Sequence, residues 1–385
     1  MVTFYDVSGG KGFLSVVLRC TVKFIDSISE KDVYHTILKV PGMESIEEAT
    51  KKCDYDIDEE TQKKSEGEKN AFLENSHKFE CEFYSILAPL LDTPCPKVYK
   101  ALDIKVGEKE GVIHMEDLTL RGKTILYFDN INLTQVKCVI QHFAHMHYKN
   151  LTIDQSIWRG KFMKNQEALA AITEHIDLMI NPMIKSSKRE EDFAPFVDKL
   201  RKFYSNKEFA LYSTKQSYID LEMPPVLVHG DMHSGNIMWA IDEDGNIQNE
   251  LAAFVDWQIM HEGSPMSDLA RFLTHCCDGV VRRQAETFAI EFYFECLIKE
   301  FGSKEKVPYT IEKLKKAYNY CFLTQAFYSM AIIQMLFLAI ADKAENESIK
   351  NAYYDFAILK ALHLFEDVDR LLEGDMKDVF EKYGV

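Results

Sequence analysis

Positive charge is scarce in this sequence. Its 385 residues include 45 Lys and Arg against 61 Asp and Glu, so the formal net charge is −16. An acidic chain repels phosphate backbones and anionic lipid surfaces, and no cluster of basic residues offsets this repulsion. The composition therefore predicts neither a nucleic-acid partner nor a membrane-surface partner.

Cysteines at metal-binding spacing are also missing. The nine cysteines are an odd number and contain no C-x-x-C pair, which is typical of reduced thiols rather than of a disulfide framework or a zinc site. The first residues have no basic stretch followed by a long apolar run, so we expect no secretory signal. These features predict a cytoplasmic location.

One long uncharged segment tests that expectation. No charged residue occurs from Ala317 to Ala341, and a helix of this length can cross a bilayer. Gln325 and Gln334 interrupt the segment, and amides in lipid need hydrogen-bond partners. We therefore predict a buried central helix rather than a membrane span.

Strand signals dominate the first part of the chain. A strand ahead of residue 8 is followed by predicted strands at residues 14–24, 33–40, 97–106 and 111–115. Between the third and fourth strands, apolar residues recur at helical spacing up to Pro89, where we expect the helix to end. The charged segment 44–69 predicts a solvated helix plus a loop. The predicted order is β-β-β-α-β-β.

Helical patterns dominate from Leu133 onward, and one β-hairpin, formed by Ile237–Ile241 and Leu251–Val255, interrupts them. This arrangement predicts an α+β protein with a two-lobed, protein-kinase-like fold. A small N-terminal β-sheet lobe with one helix covers residues 1–115, a link covers 116–122, and a larger, mostly helical lobe covers 123–385.

The most specific motif follows Val228. His229, Asp231 and Asn236 have the H-x-D-x-x-x-x-N spacing of a phosphotransfer loop, in which the Asp accepts a hydroxyl proton and the Asn binds a metal ion. Asp256 ends the apolar strand of the next hairpin, where a second metal-binding carboxylate is expected. The alternative is that both aspartates are turn and cap residues.

A lysine inside an apolar strand is the second informative feature. Lys39 lies in the third predicted strand, and a buried ammonium needs a partner. In a kinase-like fold this lysine contacts the ATP phosphates and a glutamate of the next helix. Glu80 is the favoured partner, and Glu82 competes with it. The alternative is a surface lysine on an edge strand.

A glycine-rich loop precedes this lysine. Gly9, Gly10 and Gly12 lie between two predicted strands, where flexible backbone can cover phosphates. The loop has neither the G-x-G-x-x-G pattern nor the P-loop pattern. Taken alone it is typical of a hairpin turn, and its position ahead of Lys39 favours nucleotide binding.

Together these motifs resemble the aminoglycoside phosphotransferase and choline kinase superfamily. The chain is most similar to the CHK kinase-like (ecdysteroid-kinase-like) group, especially its nematode branch. The segments that carry the resemblance are Ile37-Leu-Lys39-Val-Pro, Glu80 with Phe83-Tyr84, Met115-Glu116-Asp117-Leu118, Val228-His-Gly-Asp231 to Asn236, Ile237-Met-Trp239, Val255-Asp256-Trp-Gln258 and Asp268-Leu-Ala-Arg271.

The resemblance implies a small-molecule kinase that uses ATP and Mg²⁺. It implies Asp231 as the catalytic residue and Asn236 and Asp256 as metal ligands. Backbone groups of Glu116 and Leu118 would meet adenine. The superfamily precedents for the acceptor hydroxyl are choline, aminoglycosides and ecdysteroids, and the sequence leaves the choice and the oligomeric state open.

The resemblance also assigns two supporting positions. Asp268 would brace the catalytic loop rather than touch substrate. His233 stands where the group commonly has a tryptophan, and we expect this difference to change local packing rather than catalysis.

Two other functions share part of this pattern. A kinase-like protein that binds a nucleotide or metabolite without transferring phosphate is the first alternative. A metallophosphoesterase is a remote one, because Gly230-Asp-Met-His233 fits the start of its motif but no further ligand block follows. Protein substrates are disfavoured, since no A-P-E segment follows Asp256.

Two further features are better explained by packing. His142, His145 and His147 lack carboxylates at ligand spacing. The three tryptophans, Trp158, Trp239 and Trp257, are expected in the core rather than in an aromatic cage for a quaternary ammonium.

Overall fold

The protein is described from a computed structural model. The described residues are 1–7, 14–29, 32–43, 59–173, 175–341 and 346–384, without the side chains of 59–66, 168–169 and 339–341. The predicted glycine loop, with Gly9, Gly10 and Gly12, lies outside these residues, as does most of the predicted segment 44–69. The chain divides into two compact units. The first is Met1–Lys123 with Ile241–Ile247 and Ala252–Ile259, and the second is Thr124–Ala240 with Gln248–Leu251 and Met260–Val385.

An antiparallel sheet forms the first unit. Among the described residues its strands are β1 (Val2–Asp6), β2 (Ser15–Val22), β3 (Tyr34–Pro41), β4 (Val98–Leu102) and β5 (Val112–Glu116), in the order β1-β2-β3-β5-β4. Segments rich in β-branched residues favour this pleated conformation, and half of the residues of β2, Ser-Val-Val-Leu-Arg-Cys-Thr-Val, are Val or Thr. Because β3 lies in the middle, side chains that point from it toward the helix are removed from water.

The helix of the first unit is longer than predicted. Helix α1 (Glu59–Glu82) continues through a π-helical turn, Phe83–Leu87, into α2 (Ala88–Leu91). The predicted end at Pro89 is therefore wrong. Pro89 occupies the first turn of α2, where a backbone N–H is not needed, so the proline does not break the helix. The order β-β-β-α-β-β is confirmed.

The second unit is mostly helical. The short strand β6 (Gly122–Thr124) leads into it. Its helices are α3 (Leu133–Thr152), α4 (Asn165–Thr173), α5 (Ile176–Ser187), α6 (Glu190–Tyr204), α7 (Lys207–Leu211), α8 (Ser217–Asp220), α9 (Ser267–Cys276), α10 (Gly279–Glu286), α11 (Ala289–Phe301), α12 (Ile311–Ala331), α13 (Ile333–Ala341), α14 (Glu347–Glu373) and α15 (Lys377–Tyr383). The predicted α+β, kinase-like fold is confirmed.

Short strands flank the segment that carries the phosphotransfer motif. Strand β7 (Val226–Val228) pairs with β10 (His261–Gly263), a pairing that the sequence did not predict, because His-Glu-Gly has no strand signal. The predicted hairpin is present as β8 (Ile237–Ile241) and β9 (Ile247–Phe254), with β9 starting earlier than expected.

The uncharged segment forms two helices rather than one. Helix α12 ends at Ala331 and α13 begins at Ile333. In the part of the chain that the structure describes, Ile311–Leu338 is long and apolar enough to cross a membrane, and 67% of its most apolar 18-residue window is buried. Buried core helices have the same composition, so burial of most of α12 agrees with the predicted core helix.

The cysteines and tryptophans pack as expected. The eight cysteines within the described residues are all free thiols, and six of them are buried. Trp158, Trp239 and Trp257 are at most 1% exposed, so they are core residues.

A close approach between α10 and α14 gives a test of this packing. A Cβ added to Gly279 would lie 2.1 Å from Nδ1 and 2.8 Å from Cβ of His363. We expect Gly279→Ala to lower the free energy of unfolding by about 1–3 kcal/mol, because the inserted methyl forces the helices apart. Gly67→Ala in α1 is the control, since nothing lies within 4 Å of its added Cβ, and it should stabilise by about 0.5–1 kcal/mol. Urea unfolding checks both values, and equal effects would contradict the packing.

Candidate functional site

A buried lysine is the centre of the site in the first unit. Lys39 lies on the middle strand β3 and is 6% exposed, so the edge-strand alternative is wrong. Its Nζ donates to Oε1 and Oε2 of Glu80 at 2.8 and 2.7 Å and to Oδ1 of Asp256 at 2.6 Å. An ammonium has three N–H donors. All three are therefore directed at carboxylate oxygens.

Glu80, and not Glu82, is the helical partner of this lysine. Glu80 is 1% exposed, whereas Glu82 lies 3.7 Å from Lys78 on the helix surface. Burial raises the pKa of Glu80 to about 7, because Lys39 offsets only part of the lost hydration and Asp256 adds a second negative charge. Burial opposes the charge on Lys39, but the two carboxylates outweigh it and raise its pKa. A charged Lys39 thus holds the cluster together.

Asp256 adopts an uncommon backbone conformation two residues after the end of β9. Its φ is +70°, in the left-handed region, which Asp tolerates better than most residues. Its N–H donates to the hydroxyl of Tyr84 at 3.3 Å, and the ring of Phe83 stacks on Trp257 with centroids 3.6 Å apart. Phe83 and Tyr84 belong to the π-helical turn, a distortion often found at functional sites. The turn therefore fixes the segment that carries Asp256.

The predicted adenine-binding link is also held in place. The N–H of Glu116 donates to the Lys97 carbonyl at 2.8 Å, so an adenine contact by Glu116 would use its carbonyl. Leu118 is buried and starts a 3₁₀ turn that Asp117 caps through the N–H of Thr119. Arg19 of β2 donates to Asp117 at 2.6 Å. This ion pair, absent from the sequence-based prediction, ties the link to the sheet.

The phosphotransfer loop belongs to the second unit, and helix α9 braces it. The N–H groups of His229 and Gly230 donate to the carboxylate of Asp268 at 2.7 and 3.0 Å, as the resemblance implied. Gly230 has φ +82°, so the sharp turn before Asp231 requires glycine. One carboxylate therefore fixes the backbone at the start of the loop.

A guanidinium holds the side chain of Asp231. Its Oδ1 accepts a hydrogen bond from Nη2 of Arg271, and its Oδ2 lies 3.6 Å from Nε2 of His233. Burial alone would raise the pKa of Asp231, but Arg271, with a smaller contribution from His233, outweighs it and holds the pKa well below the ordinary value. Asp231 is therefore ionised throughout the neutral range.

Asn236 is oriented by the same loop. Its Nδ2 donates to the Asp231 carbonyl at 2.9 Å, and its N–H donates to the His233 carbonyl at 2.9 Å. Because the NH₂ group of the amide faces the backbone of the loop, the amide oxygen is directed away from that backbone. Asn236 therefore presents an oxygen, the ligand type that Mg²⁺ prefers.

Each unit has a side chain with an oxygen of the kind that Mg²⁺ prefers. In the first unit, Asp256 contacts Lys39 through Oδ1, and its side chain is 23% exposed. In the second unit, Asn236 presents an amide oxygen. Both donor types fit magnesium, which is usually held by one or two carboxylates together with substrate phosphates and waters. Within the described residues no group of three His, Cys, Asp or Glu forms a metal cluster. The histidines of α3 are packed instead, since His145 pairs with Glu300 and His147 with Tyr293.

Comparison with known families agrees with this arrangement. The family model DUF1679, described as "Uncharacterized oxidoreductase dhs-27", matches residues 2–376. The chain belongs to the DUF1679 family. This family is part of the CHK kinase-like group, so the resemblance inferred from the motifs is confirmed.

Two curated relatives come from Caenorhabditis elegans. The "Uncharacterized oxidoreductase dhs-27" is 28% identical over 352 residues, which are 89% of this chain and 41% of that protein. The chain thus spans less than half of that relative's length. The "Uncharacterized kinase-like protein D1044.1" is 24% identical over 298 residues, 76% of this chain and 71% of that protein.

Among solved structures, a choline kinase from Cryptosporidium parvum Iowa II is similar to this chain. It is 10% identical, with 97% of this chain and 91% of that chain covered and a TM-score of 0.49.

Removal of the buried cation tests the Lys39 cluster. Lys39→Met should lower the free energy of unfolding at neutral pH by about 3–5 kcal/mol, because it leaves the Glu80 carboxylate uncompensated. Loss of Lys39 raises the pKa of Glu80 further. The folded variant then holds that proton more tightly than the unfolded chain, so its stability falls as the pH rises through the folded pKa.

Urea unfolding at about pH 5.5 and about pH 8.5 measures this effect. The deficit of Lys39→Met should be larger at the higher pH, and Lys39→Met/Glu80→Gln should remove the difference. Lys100→Met, at an exposed lysine of β4, is the matched control and should change little. A deficit independent of pH in the single variant would contradict the assignment.

Proposed function

We propose that the protein transfers the γ-phosphate of ATP to a hydroxyl of a small molecule. The observation that carries the proposal is the Lys39–Glu80–Asp256 cluster, together with Asp231 and Asn236 at phosphotransfer spacing. Membership of a kinase-like family supports it, as does the kinase-like name of one relative. The expected cofactors are ATP and Mg²⁺.

Lys39 binds the ATP phosphates in this proposal. Because its three donors are already in use, a phosphate oxygen has to replace one acceptor. Asp256 is the acceptor that yields, since its side chain is 23% exposed while that of Glu80 is 1% exposed. Glu80 keeps Lys39 in place during the exchange. The released carboxylate of Asp256 is then available to a metal ion.

Asp256 and Asn236 would hold magnesium. The ion supplies positive charge to the phosphate oxygens, where negative charge develops during transfer. The backbone of Glu116 and Leu118 would bind adenine. The glycines Gly9, Gly10 and Gly12 are proposed to cover the phosphates.

Asp231 orients the acceptor and takes its proton. The hydroxyl oxygen forms a bond to the γ-phosphorus, and the bond from that phosphorus to the β–γ bridging oxygen breaks. ADP leaves with that electron pair, and the hydroxyl proton moves to the Asp231 carboxylate. The products are a phosphate monoester and ADP, so atoms and charges balance.

The acceptor class is proposed from the family resemblance. A hydroxyl of a choline-like, aminoglycoside-like or ecdysteroid-like molecule is the expected acceptor. The protein is expected to act in the cytoplasm, without a nucleic-acid or membrane partner. An aromatic cage for a quaternary ammonium is not supported, because the tryptophans are buried.

Three other functions have less support. A kinase-like protein that binds nucleotide without turnover shares the Lys39 cluster and is separated only by measured transfer. The described residues hold no three-ligand cluster of the kind a metallophosphoesterase needs. Oxidoreductase is the name of a relative, and this sequence has no G-x-G-x-x-G dinucleotide fingerprint.

Asp231 and Asp256 provide the test, because the same type of side chain has a different role at each position. Asp231→Asn should keep ATP and Mg²⁺ affinity while lowering the transfer rate by about two orders of magnitude or more, because an amide cannot accept the proton. Asp256→Asn should weaken nucleotide binding in the presence of Mg²⁺ but not in its absence. Calorimetric titration with and without Mg²⁺ and single-turnover transfer from labelled ATP measure both.

Asp355→Asn is the control, at an exposed position of α14, and should change neither quantity. If Asp231→Asn abolished Mg²⁺-dependent binding and Asp256→Asn left it intact, the two roles would be reversed. ATP binding by the wild type without any transfer to a metabolite library would favour the inactive alternative.

A further inference from the structure

Helix α9 contacts the phosphotransfer loop through two side chains on one face. Asp268 and Arg271 are three residues apart, so both project from the same side of the helix. Asp268 accepts the backbone N–H groups of His229 and Gly230, and Arg271 donates to the side chain of Asp231. One helix face thus fixes both the backbone and the carboxylate of the loop.

Arg271 is itself held from a second helix. Its Nη1 donates to Oε1 of Gln325 on α12 at 3.0 Å, and Arg271 and Gln325 are only 7% and 5% exposed. Within the part of the chain that is described, Nε of Arg271 is buried and makes no hydrogen bond. Hydrogen bonds to Asp231 and to Gln325 therefore hold the guanidinium in one orientation.

The second oxygen of Asp231 has a different environment. Oδ2 faces His233, whose Nδ1 accepts the N–H of Gly235 at 3.0 Å. A neutral imidazole with an accepting Nδ1 carries its proton on Nε2, and Nε2 is the atom that lies 3.6 Å from Oδ2. His233 therefore presents a donor to this oxygen and is not a competing base.

We infer that Arg271 is a positioning residue that occupies Oδ1 of Asp231 and leaves Oδ2 as the oxygen that meets the acceptor hydroxyl. The inference rests on the proposed phosphotransferase function. A carboxylate with two equivalent oxygens can rotate, and rotation removes the alignment that transfer requires. Arg271, fixed by Gln325, prevents that rotation. The proton from the acceptor hydroxyl then goes to Oδ2.

This role makes the arginine necessary for transfer and dispensable for nucleotide binding. Arg271→Met should lower the single-turnover rate about tenfold to a hundredfold, with the dissociation constant for magnesium ATP changed less than about twofold. Arg271→Lys should recover part of the rate, because it restores a cation without the fork geometry. Gln325→Leu should lower the rate by a smaller factor, since Arg271 keeps its bond to Asp231.

The assay uses labelled magnesium ATP with water and with a metabolite library as acceptors. Arg282→Met is the matched control, because Arg282 is another buried arginine of this unit, paired with Asp367 at 2.5 Å. It should lower the melting temperature without changing the rate per folded molecule. The double variant Asp231→Asn/Arg271→Met should transfer no more slowly than Asp231→Asn, since the two residues act as one unit.

The outcomes separate the two proposals. No transfer by the wild type overturns the phosphotransferase function and the positioning role with it. Transfer by the wild type that Arg271→Met leaves unchanged, or additive losses in the double variant, overturns the positioning role alone. If Arg271→Met does not fold, Arg271→Lys and Gln325→Leu decide the question: normal rates in both contradict the role.

Discussion

The buried ammonium of Lys39 is the constraint on which the first unit depends. A cation on the middle strand of a sheet has lost its water, so carboxylates must replace it. They come from residues 41 and 217 positions further along the chain, Glu80 and Asp256. This requirement brings helix α1 against the sheet and brings the segment after β9 into the first unit, although that segment follows much of the second unit in sequence. One charge thus explains why a piece of distant chain belongs with the N-terminal sheet.

In the second unit, too, a buried charge is held by an opposite charge, but here the central group is an anion. Here the group that must remain ionised is the carboxylate of Asp231, and the guanidinium of Arg271 supplies the opposite charge. Asp268, on the same face of α9, satisfies backbone N–H groups that the sharp turn leaves without partners. Helix α9, in which residues 268–276 are all buried, therefore holds this loop both at its backbone and at the side chain of Asp231.

The sequence predicts what depends on local pattern, and it misses what depends on distant pairing. The strands of the first unit follow from runs of β-branched residues, and the loop residues Asp231 and Asn236 follow from fixed spacing. Pattern alone did not separate Glu80 from Glu82, because Phe79, Cys81, Phe83 and Tyr84 are all buried, so this helix is apolar on more than one side. The contacts of Asp256 with Lys39 and of Arg271 with Asp231 were not predicted at all. Each joins segments whose approach is decided by packing, and neither has a signal in its neighbouring residues.

The candidate metal ligand Asp256 and the candidate catalytic residue Asp231 differ in how firmly their cationic partners are held. Lys39 shares one positive charge among three carboxylate oxygens, and the side chain of Asp256 is partly exposed. An incoming anion can therefore replace Asp256 as a hydrogen-bond acceptor of Lys39 without disrupting the fold. Arg271 is fixed at two points, by Asp231 and by Gln325, and is nearly inaccessible to solvent. In the proposed function, an exchangeable cation suits Asp256, whose partner would change when a nucleotide binds. A fixed cation suits Asp231, which would have to keep one orientation while the acceptor hydroxyl approaches it.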